Sequence, residues 1–163
     1  MAKTAVYPGS FAPITLGHVD IVKRASALFD KIVMAVVKNP GKQSVSLSFS
    51  ERFALVQESV KSLKNVTVVS FEGLTVDLAR AYEASIIIRG LRAVSDFEYE
   101  FAMSQMNKRL CPGVETVFMM ADLEYQFISS SMINEVARLG GTVDGLAPTA
   151  VVSHFKSLSE NLI

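Results

Sequence analysis

A Rossmann-like α/β fold is predicted, with a doubly wound, five-stranded parallel sheet, helices on both faces and further helices at the C-terminus. Three observations predict it. Short continuous apolar runs recur five times. Longer stretches with apolar residues at helical spacing lie between them. Gly, Pro, Asn and Ser punctuate the changeovers. Continuous apolar runs suit strands buried on both faces, and strand–helix alternation makes their pairing parallel.

Ala5-Val6-Tyr7 closes on Pro8-Gly9 and reads as a strand entering a loop. From Gly17 to Phe29, the residues Val19, Ile21, Val22, Ala25, Leu28 and Phe29 recur at helical spacing. Ile32 to Val37 is the second strand, ended by Asn39-Pro40-Gly41-Lys42. Ser48 and Glu51 have the spacing of a capping box ahead of a helix bearing Phe53, Leu55, Val56, Val60 and Leu63. Val66 to Phe71 is the third strand, Leu74 to Ala84 a helix, and Ser85 to Ile88 the fourth strand. Asp96 to Leu110 is helical, with Phe97, Phe101 and Met106 among its apolar members, and methionines such as Met103 and Met106 read as core filler. Val114 to Met120 is the fifth strand. Two helices follow, Ser129 to Leu139 and Ala150 to Leu158, joined by a turn-rich segment from Gly140 to Pro148. His154, near the C-terminus, reads as a surface residue. Without a repeat or linker, residues 1–163 form one domain.

Half of the residues are hydrophobic, enough for an ordinary core. Sixteen Lys and Arg balance sixteen Asp and Glu. A protein that wraps a long polyanion carries a basic excess, so no nucleic-acid partner is expected. A small phosphorylated ligand needs only a few local cations. Cys111 is the single cysteine, with no Zn-ligand spacing around it, so no metal ligand set is expected. The apolar run before Pro8 is too short for a signal-peptide core, and no stretch approaches a membrane span. A cytoplasmic protein without a membrane partner is the expectation.

Doubly wound sheets bind ligands beyond the carboxyl ends of their strands. The loop after the first strand holds Gly9, Ser10, Pro13, Thr15, Gly17 and His18. Its glycines let backbone N–H groups approach a phosphate, and the following helix presents its positive end. A tight turn with a capping histidine would leave the same pattern. Beyond the fourth strand, Arg89-Gly90-Leu91-Arg92 offers two guanidinium forks for phosphate oxygens, or two solvated arginines. Lys42 follows the second strand; a lone loop lysine is usually solvated. Ser129-Ser130-Ser131 enters a helix, where one serine would suffice as a cap and three suggest a second phosphate site. Asp96-Phe97-Glu98-Tyr99-Glu100 could contact ribose hydroxyls, order the arginines, or be a solvated helix start. GxxxxGK[ST] is absent, and GxGxxG does not follow the first strand.

Tyr7-Pro8-Gly9-Ser10-Phe11 with Pro13-Ile14-Thr15-Leu16-Gly17-His18 resembles the T/HxGH nucleotidyltransferase signature, and Ile128-Ser129-Ser130-Ser131 resembles its second signature, ISSS/T. Arg89 to Arg92, Asp96 to Glu100 and Gln105-Met106-Asn107 are similar to one branch, the bacterial phosphopantetheine adenylyltransferases. The resemblance spans nearly the whole chain. It implies adenylyl transfer from ATP to 4′-phosphopantetheine, with His18, Lys42 and Arg92 as the catalytic set. It implies an ATP site of Ser10, Phe11, His18, Gly90, Leu91, Arg92, Glu100 and Tyr125, Gln126, Phe127, Ile128, Ser129, Ser130 and Ser131. It implies an acceptor site of Ser10, Lys42, Thr75, Arg89, Met103, Asn107 and Glu135. It further implies Mg²⁺ bound mainly through the ATP phosphates, coenzyme A as feedback inhibitor, and a homohexamer built as a dimer of trimers. Three positions depart from the pattern. Ala12 stands where the family usually has Asp, Asn134 where relatives often carry Lys or Arg, and Ser10 replaces Thr. A transferase acting on another phosphorylated acceptor is the nearest competing enzyme, and a nucleotide-binding module without catalysis the competing class.

Overall fold

The computed structural model describes residues 3–38 and 47–160. Five parallel strands carry the core: β1 (Thr4–Gly9), β2 (Lys31–Val37), β3 (Val66–Phe71), β4 (Ile86–Leu91) and β5 (Glu115–Met120). Their order is β3-β2-β1-β4-β5. The chain winds outward from β1 to β3, then crosses back to β4, so the order reverses between β1 and β4. Such a reversal opens a crevice at the carboxyl ends.

Register shows where that crevice begins. β1 pairs with β2 along its whole length, from Thr4↔Lys31 to Gly9↔Val36. Its pairing with β4 is limited to Ala5↔Ile86 and Val6↔Ile87. Beyond those residues the two central strands part. Pro8, which has no N–H to donate, lies in the parted stretch. Arg89 reaches across from β4 and donates its Nη1 to the Pro8 carbonyl at 3.0 Å.

Six helices cover the sheet: α1 (Leu16–Ser26), α2 (Phe49–Val60), α3 (Thr75–Ala81), α4 (Val94–Leu110), α5 (Ser130–Arg138) and α6 (Thr149–Glu160). Side chains alternate across each strand. Tyr7, Met34 and Ile88 face a core that includes Ile21, Val56, Ile133 and Val151. Val6, Val33 and Ile87 face a second core closed by Leu78 and Ala79. Thus α1, α2, α5 and α6 cover one face, and α3 and α4 the other. The predicted class holds. No helix among the described residues is long and apolar enough to cross a membrane.

Four local readings need correction. Arg89, Gly90 and Leu91 belong to β4 rather than to the loop after it, because they stay in register with Phe118, Met119 and Met120 of β5. Met103 and Met106 are exposed, not core filler, because α4 turns both away from the two buried clusters. His154 is half-buried rather than a surface residue, because α6 packs on α2 and brings its Nε2 to 3.6 Å from the Glu51 carboxylate. The first-loop residue Gly9 is the last residue of β1, held there by its pairing with Val36.

Candidate active site

Two cavities open at the crevice, of about 310 Å³ and about 190 Å³. The smaller is lined by Phe11, Thr15, Gly17, His18, Gly90 and Arg92, among others. The larger is lined by Val37, Thr75, Tyr99, Glu100, Met103, Ser104, Asn107 and Thr116. Pro8, Gly9, Ser10 and Arg89 border both. A narrow partition therefore separates two sites, each able to hold part of a reacting pair.

The partition is built by local constraint. Phe11 has φ of 44°, in the left-handed region that non-glycine residues avoid. Burial holds it there: its ring stands edge-on to Tyr7 at 5.5 Å and to His18 at 5.2 Å. A Cβ on Gly9 would lie 2.7 Å from the Phe11 ring, so that position requires glycine. On the β4 side, a Cβ on Gly90 would lie 2.5 Å from Ile21 Cδ1. These two glycines let β1 and β4 close around Phe11 and Ile21.

His18 is fixed by the start of α1. Thr15 is the N-cap; its hydroxyl accepts from the His18 N–H at 3.3 Å. The Thr15 N–H donates to His18 Nδ1 at 3.0 Å. A backbone N–H can only donate, so Nδ1 is an acceptor and the ring proton rests on Nε2. Burial, then the fields of Arg92 and Arg89, push the imidazole pKa down from 6.5 to about 4. His18 is thus a neutral hydrogen-bond donor at physiological pH.

This has a direct test. In the free protein the His18 ring resonances stay flat between pH 8 and pH 5.5. A titration midpoint near 6.5 there would refute the assignment. The folded pKa lies below the unfolded value, so protons favour the unfolded chain in this window. His18 contributes full stability above about pH 6.5, and that contribution falls by at most about 1.4 kcal/mol per pH unit as pH drops toward 4.

Arg89 spans the partition. Its Nε and Nη2 each donate to Glu100 at 2.6 Å, a two-pronged ion pair between β4 and α4. Burial disfavours its charge, but Glu100 outweighs burial and holds its pKa above the usual guanidinium value. Arg92 is more exposed; it pairs with Asp96 at 3.3 Å and donates to the Ile128 carbonyl at 3.4 Å. Burial raises the Tyr7 phenol above its ordinary pKa, keeping it neutral beside Arg89.

The expected residues divide as follows. Ser10, Phe11, His18, Gly90 and Arg92 meet at the smaller cavity. Ser10, Thr75, Arg89, Met103 and Asn107 meet at the larger. Glu100 lines the larger cavity, where its carboxylate is drawn to Arg89. Leu91 is buried and lines neither cavity. Tyr125, Gln126, Phe127, Ile128, Ser129, Ser130 and Ser131 form a neighbouring wall. A Cβ on Gly17 would sit 3.5 Å from Tyr125, so this segment crosses the start of α1. Ile128 is core, Ser129 caps α5 through the Met132 N–H, and Ser130 donates to the Pro13 carbonyl at 2.8 Å. Glu135 is exposed on α5, outside both cavities. Lys42 lies outside the described residues.

Sequence reasoning missed Ser104 and Thr116. Glu100, Met103, Ser104 and Asn107 fall at i, i+3, i+4 and i+7, one face of α4, and that spacing could have found Ser104. The two departures, Ala12 and Asn134, are in contact: Asn134 Nδ2 donates to the Ala12 carbonyl at 2.9 Å. An amide now joins α5 to the phosphate loop. Among the described residues, no group of three or more His, Cys, Asp or Glu could hold a metal ion.

Comparison with known proteins agrees with this architecture. The cytidylyltransferase-like family profile matches residues 6–136. The phosphopantetheine adenylyltransferase of Clostridium botulinum (strain Alaska E43 / Type E3) is 50% identical over 151 residues, 93% of this chain and 94% of that protein. That of Alkaliphilus oremlandii (strain OhILAs) is 51% identical over 149 residues, covering 91% and 94%. That of Clostridium tetani (strain Massachusetts / E88) is 50% identical over 157 residues, covering 96% and 98%. The crystal structure of a putative nicotinate-nucleotide adenylyltransferase from Vibrio parahaemolyticus shares the fold, with a TM-score of 0.71 at 19% identity over 95% of this chain and 91% of that one. The chain belongs to the cytidylyltransferase-like family and, within it, to the phosphopantetheine adenylyltransferases.

Proposed function

We propose that this chain transfers the adenylyl group of ATP to 4′-phosphopantetheine, giving dephospho-coenzyme A and pyrophosphate, the penultimate step of coenzyme A synthesis. The observation that carries this reading is the pair of cavities sharing the wall of Pro8, Gly9, Ser10 and Arg89. ATP enters on the His18 side and the acceptor on the Thr75 side, so the reacting phosphates meet at the partition.

The acceptor phosphate is already ionised at neutral pH and needs no general base. One of its oxygens forms a bond to the α-phosphorus as the bond from that phosphorus to the bridging oxygen breaks, and pyrophosphate departs. The protein must align two polyanions and stabilise charge on the α-phosphate and leaving group. The neutral Nε2–H of His18, the Arg92 guanidinium and the N-terminus of α1 face that task on the ATP side. Arg89 and the Ser10 hydroxyl serve both sides. Mg²⁺, when bound, screens the triphosphate and supports the leaving pyrophosphate. A cation that arrives on ATP oxygens suits a site of neutral donors and cations, to which the chain adds the Ser10 hydroxyl.

The test measures pyrophosphate and product from ATP with 4′-phosphopantetheine, with nicotinamide mononucleotide and with glycerol phosphate as rival acceptors. No dephospho-coenzyme A above background would sink the proposal. Lys42→Ala should weaken phosphopantetheine binding more than ATP binding, as measured by calorimetry. Equal losses would count against placing Lys42 with the acceptor.

Self-association as a homohexamer belongs to the same proposal. Its support is α4, which leaves Phe97, Phe101, Met106 and Leu110 exposed. Sedimentation should give six copies; a monomer at micromolar concentration would refute it. Coenzyme A, which carries the acceptor arm and a nucleotide in one molecule, is the proposed feedback inhibitor. A cytoplasmic setting fits an enzyme of these soluble substrates.

A further inference from the structure

Arg52 stands apart from the described machinery. It lies in the second turn of α2, is only 8% exposed, and is the one charged residue among the described residues so deeply buried. Helical arginines usually extend into solvent. Burial here depresses its pKa, and among the described residues no carboxylate forms an ion pair with it. Burying a charge without a counter-charge is unfavourable. Three features offset this. Its Nη1 donates to the Ser10 carbonyl in a short hydrogen bond, and to the Val37 carbonyl at 3.3 Å. Its guanidinium carbon lies 5.4 Å from the centre of the Phe49 ring.

The two carbonyls mark a location. Ser10 borders both cavities, and Val37 lines the larger. One nitrogen therefore gathers the carboxyl ends of β1 and β2 from behind. The Phe49 ring that supports Arg52 also lies 5.4 Å from Lys38 Nζ, so a second cation stands where β2 ends. A fork tied to a carbonyl at this point fixes the peptide plane of Ser10. That plane sets where the Ser10 hydroxyl and the following N–H stand.

We propose that Arg52 is a positioning residue for adenylyl transfer, which ties the Ser10 carbonyl to the end of β2 and so fixes the partition between the two substrates. It touches neither substrate. Among the described residues its guanidinium is held by carbonyls and a ring rather than by a carboxylate. This rests on the adenylyl-transfer reading. If wild-type protein yields no dephospho-coenzyme A, that reading fails. If only the Arg52 variants behave unexpectedly, the fault lies here.

The experiment compares Arg52→Met and Arg52→Lys with wild type, using circular dichroism for fold and steady-state kinetics for each substrate. The Met variant should lose about 10- to 100-fold in kcat/KM for ATP and for phosphopantetheine alike, because Ser10 serves both. The Lys variant keeps a cationic donor and should recover part of that loss. A folded Met variant with unchanged kcat/KM would overturn the proposal. So would a loss that vanishes once rates are normalised to folded protein, or one confined to a single substrate. Should the Met variant not fold, the Lys variant decides alone. A drop of at least about threefold for both substrates, in a fully folded protein, is expected from a mispositioned site. Full activity would overturn the proposal.

Discussion

His18→Ala should lower kcat by roughly 10²- to 10³-fold, the range for losing one preorganised donor to a transition state. The Thr15 cap takes up Nδ1, leaving Nε2–H as the ring's donor in the smaller cavity. The depressed pKa keeps that ring neutral, so its contribution is a directed hydrogen bond rather than a formal charge. ATP affinity should change much less than kcat. A purified, folded variant with wild-type turnover would refute the role. A variant that loses only ATP affinity would move His18 from transition-state stabilisation to ground-state binding.

Arg89→Met should have the second large effect, in stability as well as in binding. Removing the guanidinium strands the Glu100 carboxylate, whose side chain is only 12% exposed. Breaking a buried pair from one side costs about 3–5 kcal/mol. Because Arg89 borders both cavities, ATP and phosphopantetheine should both bind more weakly. The double variant Arg89→Met with Glu100→Met separates the two effects. Replacing the whole pair with apolar groups should restore most of the stability, while binding stays weak. Denaturant melts and calorimetry on the same samples read out both quantities. Recovery of binding along with stability would show that Arg89 acts only as a scaffold.

The layering of the fold was legible because apolar runs and helical spacing report burial directly. Val66 to Phe71 appears as a strand with the expected bounds, and Ile32 to Val37 as one that begins a residue earlier, at Lys31. The sheet-end positions of Ser10, His18 and Arg92 were also legible, since sheet-end geometry and residue chemistry point the same way. What was not legible was pairing across elements. Nothing in the spacing of α4 says that Glu100 turns toward Arg89 on β4, a contact that depends on how the helix rolls on the sheet. Nothing in the sequence marks Arg52, because burial of a charge leaves no local pattern. The Asn134–Ala12 contact likewise joins residues that are remote in sequence, and each looked like an isolated departure until the fold brought them together. The exposed methionines of α4 mislead for the opposite reason: an apolar residue at helical spacing does not announce whether anything covers it.

The wall shared by the two cavities also bears on how a product leaves. A molecule with its nucleotide on one side and its arm on the other is anchored twice through a rigid link. Once one half lets go, the other keeps it at high effective concentration beside the vacated cavity, so rebinding competes with escape. Residence time then depends on both halves being free together. Substitutions far out in either cavity should shorten it, without touching the shared wall of Ser10 and Arg89.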